Sequence, residues 1–267
     1  MKLSMVTVCY NSEKTLQRTI NSILEQAYRP LEYIFIDGAS KDNTLDIIKK
    51  NIPVLESKGI EVKCISERDS GIYNAMNKGI KLTSGVVVGL LNSDDYYIDG
   101  NVLSKVMQRF KESVQVDVVY GNLKICRDKE VLYNISGIIF ENVNGFTAND
   151  MRFNHPTLFV IKDIYEKYGY FDEKFKVVSD KDFVIRIVRK GIKSVKIDEV
   201  LTIQDVGGVS ARTRSIGDIA NAMREGWMIG KNNDFSLFET LYMLSRSLRY
   251  RILAYIKYKS LKIMGKE

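Results

Sequence analysis

Within the first 97 residues, three apolar runs of strand-forming character each lead into acids, and the stretches between them carry helical periodicity. Residues 31–36 run into Asp37, residues 62–65 are followed by Asp69, and residues 86–91 (VVVGLL) lead directly into Asn92, Ser93, Asp94 and Asp95. A near-continuous apolar strand fits a sheet covered on both faces. Strands alternating with helices imply right-handed crossovers, parallel neighbours and an α/β fold. In such sheets ligands bind outside the carboxyl ends of the strands, so these carboxylates converge on one edge. A single acid after a strand is commonly a turn former or helix cap. Two adjacent acids at that edge repel each other unless a cation or donor groups neutralise them. A divalent cation, held by hard oxygen ligands and shared with a diphosphate, is the natural occupant.

The rest of the first half keeps the same rhythm. Residues 3–9 form the first strand, and residues 12–26 place Leu16, Ile20, Ile23 and Leu24 at helical spacing behind Ser12 as an N-cap candidate. Asp42 or Asn43 caps the helix carrying Leu45, Ile47 and Ile48, and residues 70–81 form a short helix. Beyond Tyr97 the pattern predicts a helix over 102–110, a strand over 116–120 and a hairpin or edge segment over 123–133. An Asn- and Gly-rich loop over 137–154 has no clear period. A strand over 157–161, a helix over 180–189, strands near 194–197 and 200–203, and a helix near 216–228 follow.

At 267 residues, with 45% hydrophobic and 27% charged residues, the chain can bury a full core. Its N-terminus turns polar at Asn11, unlike a signal peptide, and no run of 18 apolar residues suggests a membrane span. The odd, scattered cysteines Cys9, Cys64 and Cys126 point to neither a disulfide framework nor a zinc site, and a reducing cytosol is the simplest home. Of the net charge of +7, residues 235–267 carry +5, seven basic side chains against two acids. The basicity is therefore a property of the tail, and no nucleic-acid module accompanies it. In that tail Leu237, Leu241, Leu244, Leu248, Ile252 and Tyr255 share one helical face. Two readings stand there: a helix packed on the core, or an interfacial helix on an anionic membrane.

The ordered segments VTVCYNSEKTL, YIFIDGASKDNT, SERDSGIYNAMNKGI, LLNSDD, HPTLF, VVSDKDFVIRI and GGVS resemble family 2 glycosyltransferases of the GT-A fold. The branch they resemble builds bacterial O-antigens, capsules and colanic-acid-type polysaccharides. The resemblance implies a Rossmann-like, mainly parallel sheet flanked by helices, with a C-terminal helical extension. It divides the chain into a glycosyltransferase domain over 1–232, whose halves 1–98 and 99–232 bind nucleotide-sugar and acceptor, and a tail over 233–267. It also implies a metal-dependent (Mn²⁺ or Mg²⁺) inverting transfer from a nucleotide-sugar donor, UDP-hexose first and dTDP or GDP open, to a glycan or lipid-linked saccharide. Such an enzyme is cytoplasmic, with the inner face of the membrane as a possible seat.

Carried over by residue, Thr7, Cys9, Asn11, Asp37, Arg68 and Asp69 match the nucleotide-facing positions. Asn92, Ser93, Asp94 and Asp95 match the DxD region for ribose and metal, with Asn92 where the first acid is usual, so metal duty is open between Asp94 and Asp95. Asp180 matches the catalytic base, with Ser179 in place of the customary Glu, and Asp182 two residues on is read as an acceptor-side or structural acid. His155, the only histidine, is an acceptor-side group or a loop anchor. Gly207, Gly208 and Ser210 form a small-residue loop near the diphosphate or acceptor, or a simple turn. The altered DxD and the missing Glu leave one alternative, a non-catalytic nucleotide-sugar-binding or scaffold protein.

Overall fold

A computed structural model describes residues 1–112, 115–127, 130–139, 141, 143–205 and 215–263. The first half contains β1 (Leu3–Cys9), α1 (Leu16–Leu24), β2 (Leu31–Asp37), α2 (Thr44–Ser57), β3 (Ile60–Ser66), α3 (Ile72–Leu82) and β4 (Val87–Leu90). Next come β5 (Asp95–Tyr97), α4 (Val102–Glu112), β6 (Val118–Arg127), β7 (Glu130–Ile135), β8 (Phe159–Ile161) and α5 (Lys162–Tyr168). The chain continues through α6 (Ser179–Arg189), β9 (Ser194–Asp205), α7 (Ile216–Asn232) and α8 (Leu237–Ile263). The sheet order is β3-β2-β1-β4-β8-β6-β9-β5, with β7 added to β6.

The first four strands are parallel, as the alternation predicts, and every residue of β1 and β2 is buried. Helices cover both faces: α1, α2 and α4 join one apolar cluster, and α3, α5 and α6 the other. The other half makes the sheet mixed, since β8 runs antiparallel to β4 and β6, and β5 antiparallel to β9, while β6 and β9 are parallel. The reason is local. The chain enters β8 from a single 3-10 turn over His155–Thr157 rather than from a crossover helix, so nothing carries it back to the parallel sense.

Several elements differ from the sequence pattern. α1 starts after Thr15, because the Ser12 amide and hydroxyl bond Thr44 and Ser93 instead of capping the helix. The two strands expected over 194–203 are one continuous β9, whose register against β6 slips near Asn122. β5 and α5 are too short, at three and seven residues, to leave a readable period. α8 is a single helix of 27 residues, about 40 Å long at 1.5 Å per residue. Its first turns belong to the core, where Met243, together with Phe235 just before the helix, joins Ile229 of α7.

At the amino end of the parallel strands, opposite the acids, Glu32 is fully buried. Its carboxylate accepts from the Ser4 hydroxyl (2.5 Å) and from the amide and hydroxyl of Ser84 (both 2.9 Å), and pairs with Lys63 at 2.7 Å. Burial by itself raises a carboxyl pKa, but Lys63, Ser4 and Ser84 together outweigh it and hold Glu32 at about 2. A depressed folded-state pKa gives stability that is present above the ordinary value of 4.5 and lost as pH falls toward about 2. Glu32→Gln is therefore expected to lower stability by ~1–2 kcal/mol at pH 7. In urea unfolding the gap to the wild type should close between pH 4.5 and 2, and a gap independent of pH would contradict this account.

Candidate active site at the carboxyl edge of the sheet

The strand register places the ends of β1, β2 and β3 side by side, with Cys9 beside Asp37 and Asp37 beside Ser66. Asp37 is fully buried and accepts from the hydroxyls of Ser40 and Ser66, both at 2.5 Å. It therefore ties two loops of this edge together. Asn11 does the same on the other side: in the left-handed conformation (φ 50) that Asn tolerates, it donates its amide to Ser40 and accepts from the Lys41 amide. Asp69 reaches this corner from the loop after β3, and a Cβ on Gly38 would lie 2.8 Å from its Oδ2 and 3.3 Å from the Tyr10 ring. Tyr10 is 60% exposed. Arg68 is exposed, whereas Thr7 lies beneath in the core with its hydroxyl 2.9 Å from that of Tyr33. Burial, and then Asp37, push the Cys9 thiol far up, so it is an inert apolar group at neutral pH.

The acid turn after β4 occupies the middle of the edge. Asn92, Ser93 and Asp94 are half-buried, and Ser93 shares a 2.8 Å hydrogen bond with Ser12. Asp95 is different, because it begins β5, pairs with Gln204 of β9 and is fully buried. Neither of its carboxyl oxygens meets a donor in hydrogen-bonding geometry, although the amides of Gln204 and Asn92 lie alongside. Burial, reinforced by Asp94, raises its pKa well above the carboxylate range. Burial also raises Asp94, and there Arg18 and His155 oppose the shift while Asp205 adds to it.

Two of these neighbours were not singled out in the sequence. Arg18 of α1 lies 4.1 Å over the Tyr96 ring, ion-pairs with Asp205 Oδ2 at 2.6 Å and donates to the Asp94 carbonyl at 3.3 Å. Asp205 ends β9, over a hundred residues away from Asp94, and only the β5–β9 pairing brings it here. A mid-helix arginine leaves no mark in a one-dimensional pattern. The acid-after-strand rule that found Asp37 applies equally to Asp205, and is the one signal that pointed to it.

The other side of the edge is built by the 3-10 turn and α6. Thr157 bonds the carbonyls of Gly121 and Asn154, and Thr202 of β9 bonds that of Pro156, which fixes the turn and so the His155 ring. The His155 Nε2 is buried without a hydrogen-bond partner among the described residues. Burial lowers the His155 pKa, while Asp180 and Asp94 both pull it upward, so this ring stands within the fields of both acids. Asp180 opens α6, half-buried, and its Oδ1 accepts from the Tyr73 hydroxyl at 3.2 Å. Tyr73 also donates to the Val177 carbonyl, and buried Glu225 accepts from the amides of Lys176, Val177 and Val178. The start of α6 is thus clamped from two helices.

Asp182 turns the other way. It is 1% exposed, accepts from Asn232 and Asn233 at the end of α7, and pairs with Arg186 at 3.6 Å, so it fastens α6 to α7 away from the edge. Gly207, Gly208 and Ser210 lie outside the described residues.

Eight buried side-chain nitrogen or oxygen atoms lack a hydrogen-bond partner among the described residues, and six sit here, on Arg18, Asn92, Asp95, His155 and Asp205. A buried polar atom left unpaired costs roughly 1–3 kcal/mol, so this concentration marks a place organised for a polar ligand. Hard oxygen donors suit a divalent cation. No three His, Cys, Asp or Glu side chains among the described residues stand close enough to enclose one. A cation here fits the pattern of one or two carboxylates completed by phosphate oxygens.

Because His155 is the only histidine, its imidazole signals need no assignment. An NMR titration is expected to give a midpoint below 6.5, and Asp180→Asn should lower it further by removing a carboxylate that favours imidazolium. A wild-type midpoint above 6.5 would overturn this placement.

The comparisons with known proteins agree with this fold. The family model described as Glycosyl transferase family 2 matches residues 4–169. A UDP-Glc:alpha-D-GlcNAc-diphosphoundecaprenol beta-1,3-glucosyltransferase of Escherichia coli is 28% identical over 213 residues, covering 78% of this chain and 80% of its own length. Among solved structures, S. aureus TarS in complex with UDP-GlcNAc superposes with a TM-score of 0.69 at 19% identity, over 93% of this chain and 72% of that one. The mannosyltransferase PcManGT from Pyrobaculum calidifontis, in complex with GDP-Man and Mn²⁺, gives 0.63 at 14% identity, over 97% and 75%.

Proposed function

Since the chain belongs to glycosyl transferase family 2, we propose that it moves a sugar from a nucleotide-sugar donor to a hydroxyl of a glycan or lipid-linked saccharide in bacterial surface-polysaccharide synthesis. The observation that carries this reading is the meeting of Asp94, His155 and Asp180 at one edge of the sheet. The charges of Asp94 and Asp180 both reach the His155 imidazole, and one acid for a metal with another for a base is what a displacement at a sugar carbon needs.

In this reading the nucleoside lies along the Asp37 and Asp69 corner, where the exposed Tyr10 ring offers a face for the base. UDP is the favoured nucleotide, in keeping with the donor named for the E. coli relative. Asp94 is the better placed to hold Mn²⁺ or Mg²⁺, because it stays half-open at the edge while Asp95 is fully buried. When bound, the cation supplies charge stabilisation to the departing diphosphate. Asp180 then takes the proton of the acceptor hydroxyl as its oxygen attacks the anomeric carbon from the face opposite the leaving group, which inverts that centre. The Tyr73 hydrogen bond holds the Asp180 carboxylate in one orientation.

General base catalysis contributes about 10²- to 10⁴-fold, so Asp180→Asn is expected to lose that much turnover while UDP affinity, read by calorimetry, is unchanged. Near-normal turnover at saturating donor would remove Asp180 from this role. A thermal-shift screen of UDP-, dTDP- and GDP-sugars, with and without Mn²⁺, should return a metal-dependent stabilisation. Binding without transfer or donor hydrolysis would favour a non-catalytic sugar-nucleotide binder.

The distal half of α8 supports a seat on an anionic membrane at the cytoplasmic inner face. Tyr250, Leu253 and Ile256 are 73%, 59% and 55% exposed among basic residues, and among the described residues no helix is long and apolar enough to cross a bilayer. The full chain is expected to sediment with vesicles containing phosphatidylglycerol, and Leu253→Glu with Ile256→Glu to release it. Equal sedimentation of the two proteins would sink this placement.

A further inference from the structure

Next to the proposed base stands a half-buried cation that this mechanism does not use. Lys181 follows Asp180, and its ammonium donates to Asn149 Oδ1 at 2.9 Å. Asp150, the next residue, receives both arms of Arg246 from α8 at 2.7 and 2.8 Å, and Arg152 and Lys181 also face it. Arg251 lies one turn or so further along α8, close enough for its charge to act on Lys181. Burial, together with Arg251 and Arg246, presses the Lys181 ammonium down to about 8 against the pull of Asp180 and Asp150. Among the described residues, these four cations stand with Asp150 and Asp180.

This cluster is held in place by its surroundings. Residues 143–152 are seated on α8, where the Asn149 amide donates to the Met243 carbonyl, the Gly145 amide to Glu239, and the Phe146 ring packs on Phe238 and Tyr242. From Arg251 the helix continues into exposed Ile252, Leu253 and Ile256. Base, cation cluster and apolar surface therefore follow one another along α6 and α8.

We propose that Lys181, Arg152, Arg246 and Arg251 form a diphosphate subsite for the acceptor, so that a saccharide on a lipid diphosphate lies with its sugar at Asp180 and its chain along distal α8. The proposal rests on the reading of Asp180 as the acceptor-side base. Like charges gathered side by side gain from an anion brought among them, and guanidinium groups meet phosphate oxygens bidentately.

The test uses the full chain saturated with UDP, so that the donor site is filled, and farnesyl diphosphate as the probe in calorimetry. Wild type should bind it, and Lys181→Gln and Arg251→Gln should each weaken binding at least tenfold while UDP affinity stays within twofold. Arg152→Gln, at an exposed side chain, gives the same test without risk to folding. Farnesol should bind no differently to wild type and variants. Unchanged farnesyl diphosphate affinity in the variants, or none in wild type, overturns the subsite. So does a loss confined to phosphatidylglycerol vesicles, which assigns these cations to lipid headgroups. A wild type that binds the probe but transfers no sugar to a prenyl-diphosphate saccharide counts against the proposed function and leaves the subsite standing.

Discussion

The antiparallel pairing of the three-residue β5 with the end of β9 is the contact on which the site depends. It buries Asp95 against Gln204, brings Asp205 to Arg18 and, through Thr202 on the same strand, fixes the turn that presents His155. Without that pairing the acid turn after β4 is an exposed loop, and Asp94 and Asp180 belong to separate halves of the chain. A short ladder of this kind is weak alone. It persists because β9 is also bonded along its length to β6, so the far half of the sheet acts as the scaffold for the near half's acids.

The electrostatics follow from that geometry. Burial raises Asp94 and Asp95 together, and the structure answers with one arginine and one histidine rather than with a full set of donors. Several polar atoms remain unpaired, at a cost that an ordinary core does not carry. At the opposite end of the same strands Glu32 shows the contrast, since every oxygen there is paired and the group is ionised down to about 2. One end of the sheet is finished for stability and the other is left open for a ligand.

The side of the edge that carries Asp180 follows a different rule. Its positions come from helices clamped at their ends: Glu225 holds the loop before α6, Asp182 fastens α6 to α7, and α8 carries residues 143–152. In the sequence that loop has no period because its order derives from side chains of α8 nearly a hundred residues later, not from local backbone preference. For the same reason Lys181 and Arg246 read as ordinary helix cations until the fold sets them beside Asn149 and Asp150.

The sequence by itself determined the parallel half of the sheet, the edge on which Asp37, Asp69, Asp94 and Asp95 gather, and the helix that opens with Asp180. Apolar period and the polarity of a strand act over a few residues, so they survive in one dimension. Only the tertiary structure decided that Asp95 is sealed while Asp94 stays half-open, that Asp182 faces the core, and that Arg18 and Asp205 join the site. Those outcomes depend on which distant strand or helix covers a side chain, and burial, ion pairing and pKa are properties of that covering rather than of the residue.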